Sequence, residues 1–74
     1  MNEATKELVA LGAAVASNCH NCIDQHLARC DELQVDREEV EVAIKLGLTV
    51  RQAAELAIKK HTQGLMSVYP QEAA

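Results

Sequence analysis

The sequence predicts an all-α fold: a small helical-hairpin domain of about four helices, forming one domain over residues 1–74. Three observations carry this expectation. Apolar residues recur at spacings of three and four, and no stretch shows the alternation of a half-buried strand. Breaks fall at helix-length intervals, at Ser17-Asn18, before Asp36, at Gly47 and at Pro70. The punctuation divides the chain into four helical segments joined by short connections.

The first helix is expected over Glu3–Ala16, where Ala4, Leu8, Leu11 and Val15 share a face. Ser17 and Asn18 interrupt it, and both are residue types that cap the start of a following helix. The second is expected from about Cys19 to Leu33, with Cys22, Ile23, His26, Leu27 and Cys30 along one side. The third opens at Asp36, and Glu39 follows at capping-box spacing. Val40, Ala43, Ile44 and Leu46 form its apolar side, and Gly47 suits its C-terminus. Thr49 and Gln52 repeat the capping-box spacing before a fourth helix. That helix carries Val50, Ala53, Ala54, Ala57, Ile58, His61, Leu65 and Val68 on one face, the most regular pattern in the chain. Pro70 stops it, and the last four residues are expected to fray.

Short connections imply helices packed as hairpins. A chain of this size draws only about 3–5 kcal/mol from its own core, and alanines bury little area each. The expected remedy is a homo-oligomer, in which small residues let helices of several chains approach closely.

Composition also narrows the function. A net charge of −4 argues against nucleic acid, which requires a basic stripe. No apolar run approaches the ~20 residues that span a bilayer. The first residues lack the basic and apolar blocks of an export signal. Three cysteines, an odd number, do not resemble a secreted disulfide framework. The expected location is the cytoplasm.

The stretch SNCHNCIDQHLARC, residues 17–30, contains all three cysteines and two of the three histidines. On a helix, Cys19, Cys22, His26 and Cys30 fall within roughly one third of the circumference. Residues three apart at a helix start bring their Cα atoms into the ~4.4–6.8 Å range that a disulfide tolerates. Cys19 lies near the helix N-terminus, where the dipole favours a thiolate. His26 stands one turn beyond Cys22, placed to take its proton. Folding the first two helices about Ser17-Asn18 brings Glu7 level with His26 and Cys30. A carboxylate there holds the imidazole and stabilises its protonated form. The candidate relay is Glu7 to His26 to Cys22, with Cys19 as the second thiol.

Two other readings use the same residues. One is a helical module holding zinc or an iron–sulfur cluster through the cysteines. Against it, a helical segment separates Cys19 from Cys30 by ~16 Å, too far to close a tetrahedron within one chain. The other is an oligomeric interaction subunit without activity. Haem attachment is excluded, because Ile23 stands where C-x-x-C-H requires histidine. Cys30 is expected in the core, His20 in solvent beside the thiols, and His61 packed or at an interface.

The run ELVALGAAVASNCHNCIDQH, Glu7 to His26, resembles the core motif of the carboxymuconolactone decarboxylase superfamily, and most closely its alkyl hydroperoxidase D-like branch. That branch carries a Glu, eleven intervening residues, then C-x-x-C-x-x-x-H, matched here by Glu7, Cys19, Cys22 and His26. The resemblance continues through REEVEVAIKLG and spans roughly residues 6–47. It implies an all-α, disulfide-forming oxidoreductase that works as a trimer or hexamer. It also implies that Cys22 attacks a peroxide or a partner disulfide, while Cys19 supplies a proton and then closes the disulfide. The helix dipole alone would favour Cys19 as the more acidic thiol. No organic cofactor and no metal are implied. A lipoyl or thioredoxin-type dithiol is the implied donor, and a peroxiredoxin an implied oxidised partner. The sequence departs from the pattern in having Asn21 before the second cysteine, with the loop imidazole at His20 instead. The fourth helix matches only loosely. The branch that names the superfamily lacks paired cysteines, so decarboxylation is not expected.

Overall fold

The structure, a computed structural model, describes residues 1–71. It contains three helices, α1 (Glu3–Ala16), α2 (His20–Glu32) and α3 (Arg37–Ser67), and no strand among the described residues. The all-α expectation holds, with three helices in place of about four. Residues 72–74, part of the tail expected to fray, lie outside the described residues. No helix among the described residues is long and apolar enough to cross a membrane.

The bounds of α1 match those expected from the sequence. Asn2 caps it, its Oδ1 accepting from the Thr5 N–H at 2.8 Å. Its end is closed by a left-handed residue, Asn18 at φ 58°. The Asn18 N–H donates to the Val15 carbonyl (3.1 Å) and the Cys19 N–H to the Ala14 carbonyl (3.0 Å). This pair of bonds is a Schellman motif, and asparagine is one of few side chains tolerated at its left-handed position. Ser17 and Asn18 therefore terminate α1 and do not cap α2. The N-cap of α2 is Cys19, which makes no side-chain capping bond.

The end of α2 repeats this device. Gln34 sits at φ 55°, its N–H donating to the Asp31 carbonyl and the Val35 N–H to the Cys30 carbonyl, both at 3.0 Å. Val35 then turns onto the core. Asp36 is the N-cap of α3, but its side chain makes no capping bond. Its backbone carbonyl accepts from Glu39 and Val40 instead, so the capping box expected at Asp36–Glu39 does not form.

The third and fourth helices expected from the sequence are one helix of 31 residues. Gly47 is not a C-cap. A Cβ on it would stand 2.5 Å from the Gly12 carbonyl oxygen and 2.8 Å from Val15 Cβ, so α1 lies where a side chain would be. The glycine serves close helix approach, not a left-handed turn. Thr49 does not cap either, because its hydroxyl donates to the Lys45 carbonyl at 2.9 Å within the same helix.

Helix α1 is the element on which both others pack. It runs antiparallel to α2 across the tight turn. It runs parallel to the first half of α3, since Gly12 meets Ala43 and Gly47 while Ala16 meets Arg51. One buried residue from each helix, Leu11, Cys30 and Ala43, forms the central cluster, with Ile23, Val40 and Ile44 packed around them, and Ala14 and Val15 of α1 are also buried. Beyond Arg51 every described residue of α3 is exposed, so its second half projects from the body. The molecule measures 58 × 19 × 18 Å.

Gly47→Ala should cost about 1–3 kcal/mol in urea unfolding, because the methyl group meets α1 backbone. Gln34→Gly should gain up to about 1 kcal/mol in the same measurement by relieving the left-handed side chain.

Candidate active site

The site is assembled by the turn between α1 and α2. Once Asn18 reverses the chain, the helices run back along each other. Glu7, near the start of α1, meets His26, in the second turn of α2. Glu7 Oε2 lies 2.7 Å from His26 Nδ1. The carboxylate side chain is 17% exposed and the imidazole 33%, so the pair is partly withdrawn from water. A carboxylate only accepts, so Nδ1 carries the proton and Nε2 bears the lone pair of the neutral ring. That tautomer presents a base on the side away from Glu7.

At the first turn of α2, Cys19 and Cys22 are joined in a disulfide, their Cα atoms 5.2 Å apart. Both residues are half-buried and neither is sealed in the core. The structure thus holds the oxidised pair, in which no thiol proton remains for His26 to remove. His26 follows Cys22 by four residues, one turn along the same face. Of the four residues expected at the site, the structure brings Glu7 to His26 and Cys19 to Cys22, with the helix linking the two pairs. Among the described residues, no three His, Cys, Asp or Glu side chains form a group that could hold a metal ion.

The third cysteine lies outside the dithiol. Cys30 is 1% exposed and packs with Leu11 and Ala43. Burial pushes its thiol above the ordinary range, and the nearby Glu7 carboxylate pushes it further in the same direction. It therefore stays protonated at neutral pH and acts as a small hydrophobe. His20 is exposed, its Nε2 bonded to Asn18 Oδ1 at 2.9 Å, so the residue that forms the turn also holds the second imidazole. His61 is exposed on the projecting half of α3.

One neighbour of the site gave no local signal in the sequence. Arg51 Nη1 reaches the Ala16 carbonyl at 3.5 Å, supplying a cation to the end of α1, whose own last turn has no basic residue. It lies 35 positions from its acceptor, and no helix-spacing rule connects the two. Past Arg51, α3 leaves the body.

A family model for the carboxymuconolactone decarboxylase family matches residues 1–60. The chain belongs to that family. The match covers α1, α2, the turn between them and most of α3, and so includes every residue of the expected relay. No curated protein and no solved structure matches the chain.

In this member, the environments of the three thiols predict different reactivities. After reduction, native protein should alkylate quickly at Cys19 and Cys22, with Cys30 reacting only in denaturant; mass analysis of labelled peptides reads this directly. The raised Cys30 value adds stability that is complete below the ordinary thiol range. That stability is lost as pH rises through the raised value, so wild type should lose more stability above pH ~9 than Cys30→Ala.

Proposed function

We propose that the chain is a thiol–disulfide oxidoreductase of the alkyl hydroperoxidase D-like branch of its family, reducing a peroxide or a partner disulfide. The family includes both decarboxylases and peroxidases of that branch. The observation that carries this reading is the 2.7 Å Glu7–His26 pair on the same helical hairpin as the Cys19–Cys22 disulfide. A base fixed by a carboxylate beside a redox-capable cysteine pair is the arrangement that thiol peroxidation needs.

With the pair reduced, Nε2 of His26 takes the proton of Cys22. Glu7 holds the imidazolium that results. The Cys22 thiolate attacks the distal peroxide oxygen, the O–O bond breaks, and the alkoxide leaves as an alcohol with the proton from His26. Cys22 is then a sulfenic acid. Cys19 attacks that sulfur, the S–O bond breaks, and water departs as the Cys19–Cys22 bond forms. The sum is one hydroperoxide and one dithiol converted to one alcohol, one water and one disulfide. An external dithiol of lipoyl or thioredoxin type restores the thiols by exchange. With a partner disulfide, such as that of an oxidised peroxiredoxin, the same thiolate attacks sulfur instead of oxygen. The reading places the reaction in the cytoplasm and in a homo-oligomer.

Mass spectrometry of the reduced protein under mild peroxide should show loss of two hydrogens, abolished in Cys19→Ser and in Cys22→Ser. Retention of both thiols in wild type would sink the proposal. Peroxide turnover with a dithiol donor should fall by about 10²–10⁴-fold in His26→Ala. In Glu7→Gln it should fall about tenfold, since the hydrogen bond remains but its charge assistance is lost. An unchanged rate of Cys22 alkylation in His26→Ala would remove the imidazole from the relay.

A further inference from the structure

Closing the disulfide calls for a second proton acceptor. On the redox reading above, Cys22 becomes a sulfenic acid, and Cys19 must then lose its own proton to attack it. His26 is placed for Cys22 and not for Cys19. It stands roughly 6 Å along α2 from Cys22 and roughly 10 Å from Cys19. Its bond to Glu7 holds it there.

A second imidazole lies at the other end of the pair. His20 follows Cys19 directly, and the Cα atoms of neighbouring residues are about 3.8 Å apart. Cys19 is half-buried at the N-cap of α2 and makes no capping bond, while His20 is the exposed first residue of that helix. The ring of His20 is tethered, its Nε2 lying 2.9 Å from Asn18 Oδ1. The bond runs back past Cys19 in sequence and draws the ring toward the turn. An amide oxygen only accepts, so Nε2 carries the proton and Nδ1 bears the lone pair. With an amide in place of a carboxylate, Asn18 does for His20 what Glu7 does for His26. Each imidazole has one nitrogen committed to an oxygen and the other left as a base. Asn18 is also the left-handed residue that ends α1, so the turn that sets Cys19 at the start of α2 holds the ring next to it.

We propose that His20, oriented by Asn18, takes the Cys19 proton in the resolving step, so that each thiol of the pair has its own imidazole. Nδ1 of His20 accepts that proton, and the N-terminus of α2 favours the thiolate that results. The Cys19 sulfur attacks Cys22 Sγ, and the S–O bond of the sulfenic acid breaks. The departing hydroxide takes the proton from His20 and leaves as water, while the Cys19–Cys22 bond forms. The peroxide has already supplied the oxidation, so no further oxidant enters. His20 ends the step as the neutral imidazole with which it began.

Timed reactions of the reduced full chain with one equivalent of a small hydroperoxide, with a 1,3-dione present to trap sulfenic acid, separate the two steps by mass. Wild type should pass to the disulfide with little trapped adduct. His20→Ala should lose the Cys22 thiol at the wild-type rate, yet close the disulfide about tenfold or more slowly and accumulate adduct on Cys22. The deficit should vanish as pH rises into the ordinary thiol range, where Cys19 ionises unaided. Asp24, one turn along α2 from His20, the Glu7–His26 pair and Arg51 at the Ala16 carbonyl are the same in both proteins, so the difference reports the imidazole. Asn18→Gly keeps a residue suited to the left-handed turn but removes the acceptor, and should slow closure alone; Asn18→Asp should close as wild type does. Closure at the wild-type rate in His20→Ala overturns the assignment, and so does a loss that falls on both steps or persists at high pH. Unchanged closure in Asn18→Gly overturns the part given to the amide. Wild type that never closes the disulfide sinks the redox reading itself, whereas wild-type closure with an unaffected His20→Ala leaves that reading standing.

Discussion

A single left-handed residue fixes the geometry on which the site depends. Asn18, at φ 58°, closes α1 with two backbone bonds and points the chain back along it. With α1 of 14 residues and α2 of 13, that reversal leaves little freedom in register. Glu7 can meet His26 only because the turn occupies three residues and not more. The same reversal puts Cys19 at the N-cap of α2, where one cysteine has extended backbone and the other lies in the first helical turn. Site geometry is thus set largely by backbone hydrogen bonding at the turn.

The second constraint is how little the body buries. Leu11, Cys30 and Ala43 are one residue from each helix, and two of the three are small. Small residues permit the close approach of α1 and α3 at Gly12 and Gly47, but they contribute little transfer free energy. The same economy of side-chain volume explains Cys30. Its small side chain packs against Leu11 and Ala43, and its protonated state is what its surroundings favour. The core is thin, and half of α3 stands clear of it.

Much of this was legible from residue spacing. The limits of α1, the Cys19–Cys22 spacing and the nearness of Glu7 to His26 follow from helical period and one short turn. The structure differs from that reading at residues whose meaning depends on what is beside them. Gly47 and Thr49 have the chemistry of a helix end and a helix start, and in an isolated peptide that chemistry would count. In the folded chain, Gly47 is a gap that α1 fills, and Thr49 bonds back to Lys45 in an unbroken helix. Ser17 and Asn18 were similarly ambiguous, since the same side chains suit the start of one helix or the end of another.

The sequence alone determined the helical class and the spacing of Cys19, Cys22 and His26 along one segment, because these rest on local periodicity and on side-chain identity. Only the tertiary structure decided that α3 is continuous, that Arg51 reaches the end of α1, and that the second half of α3 stays exposed among the described residues. Those outcomes depend on contacts between positions tens of residues apart, where a glycine can be a break or a docking point and the helix facing it settles which.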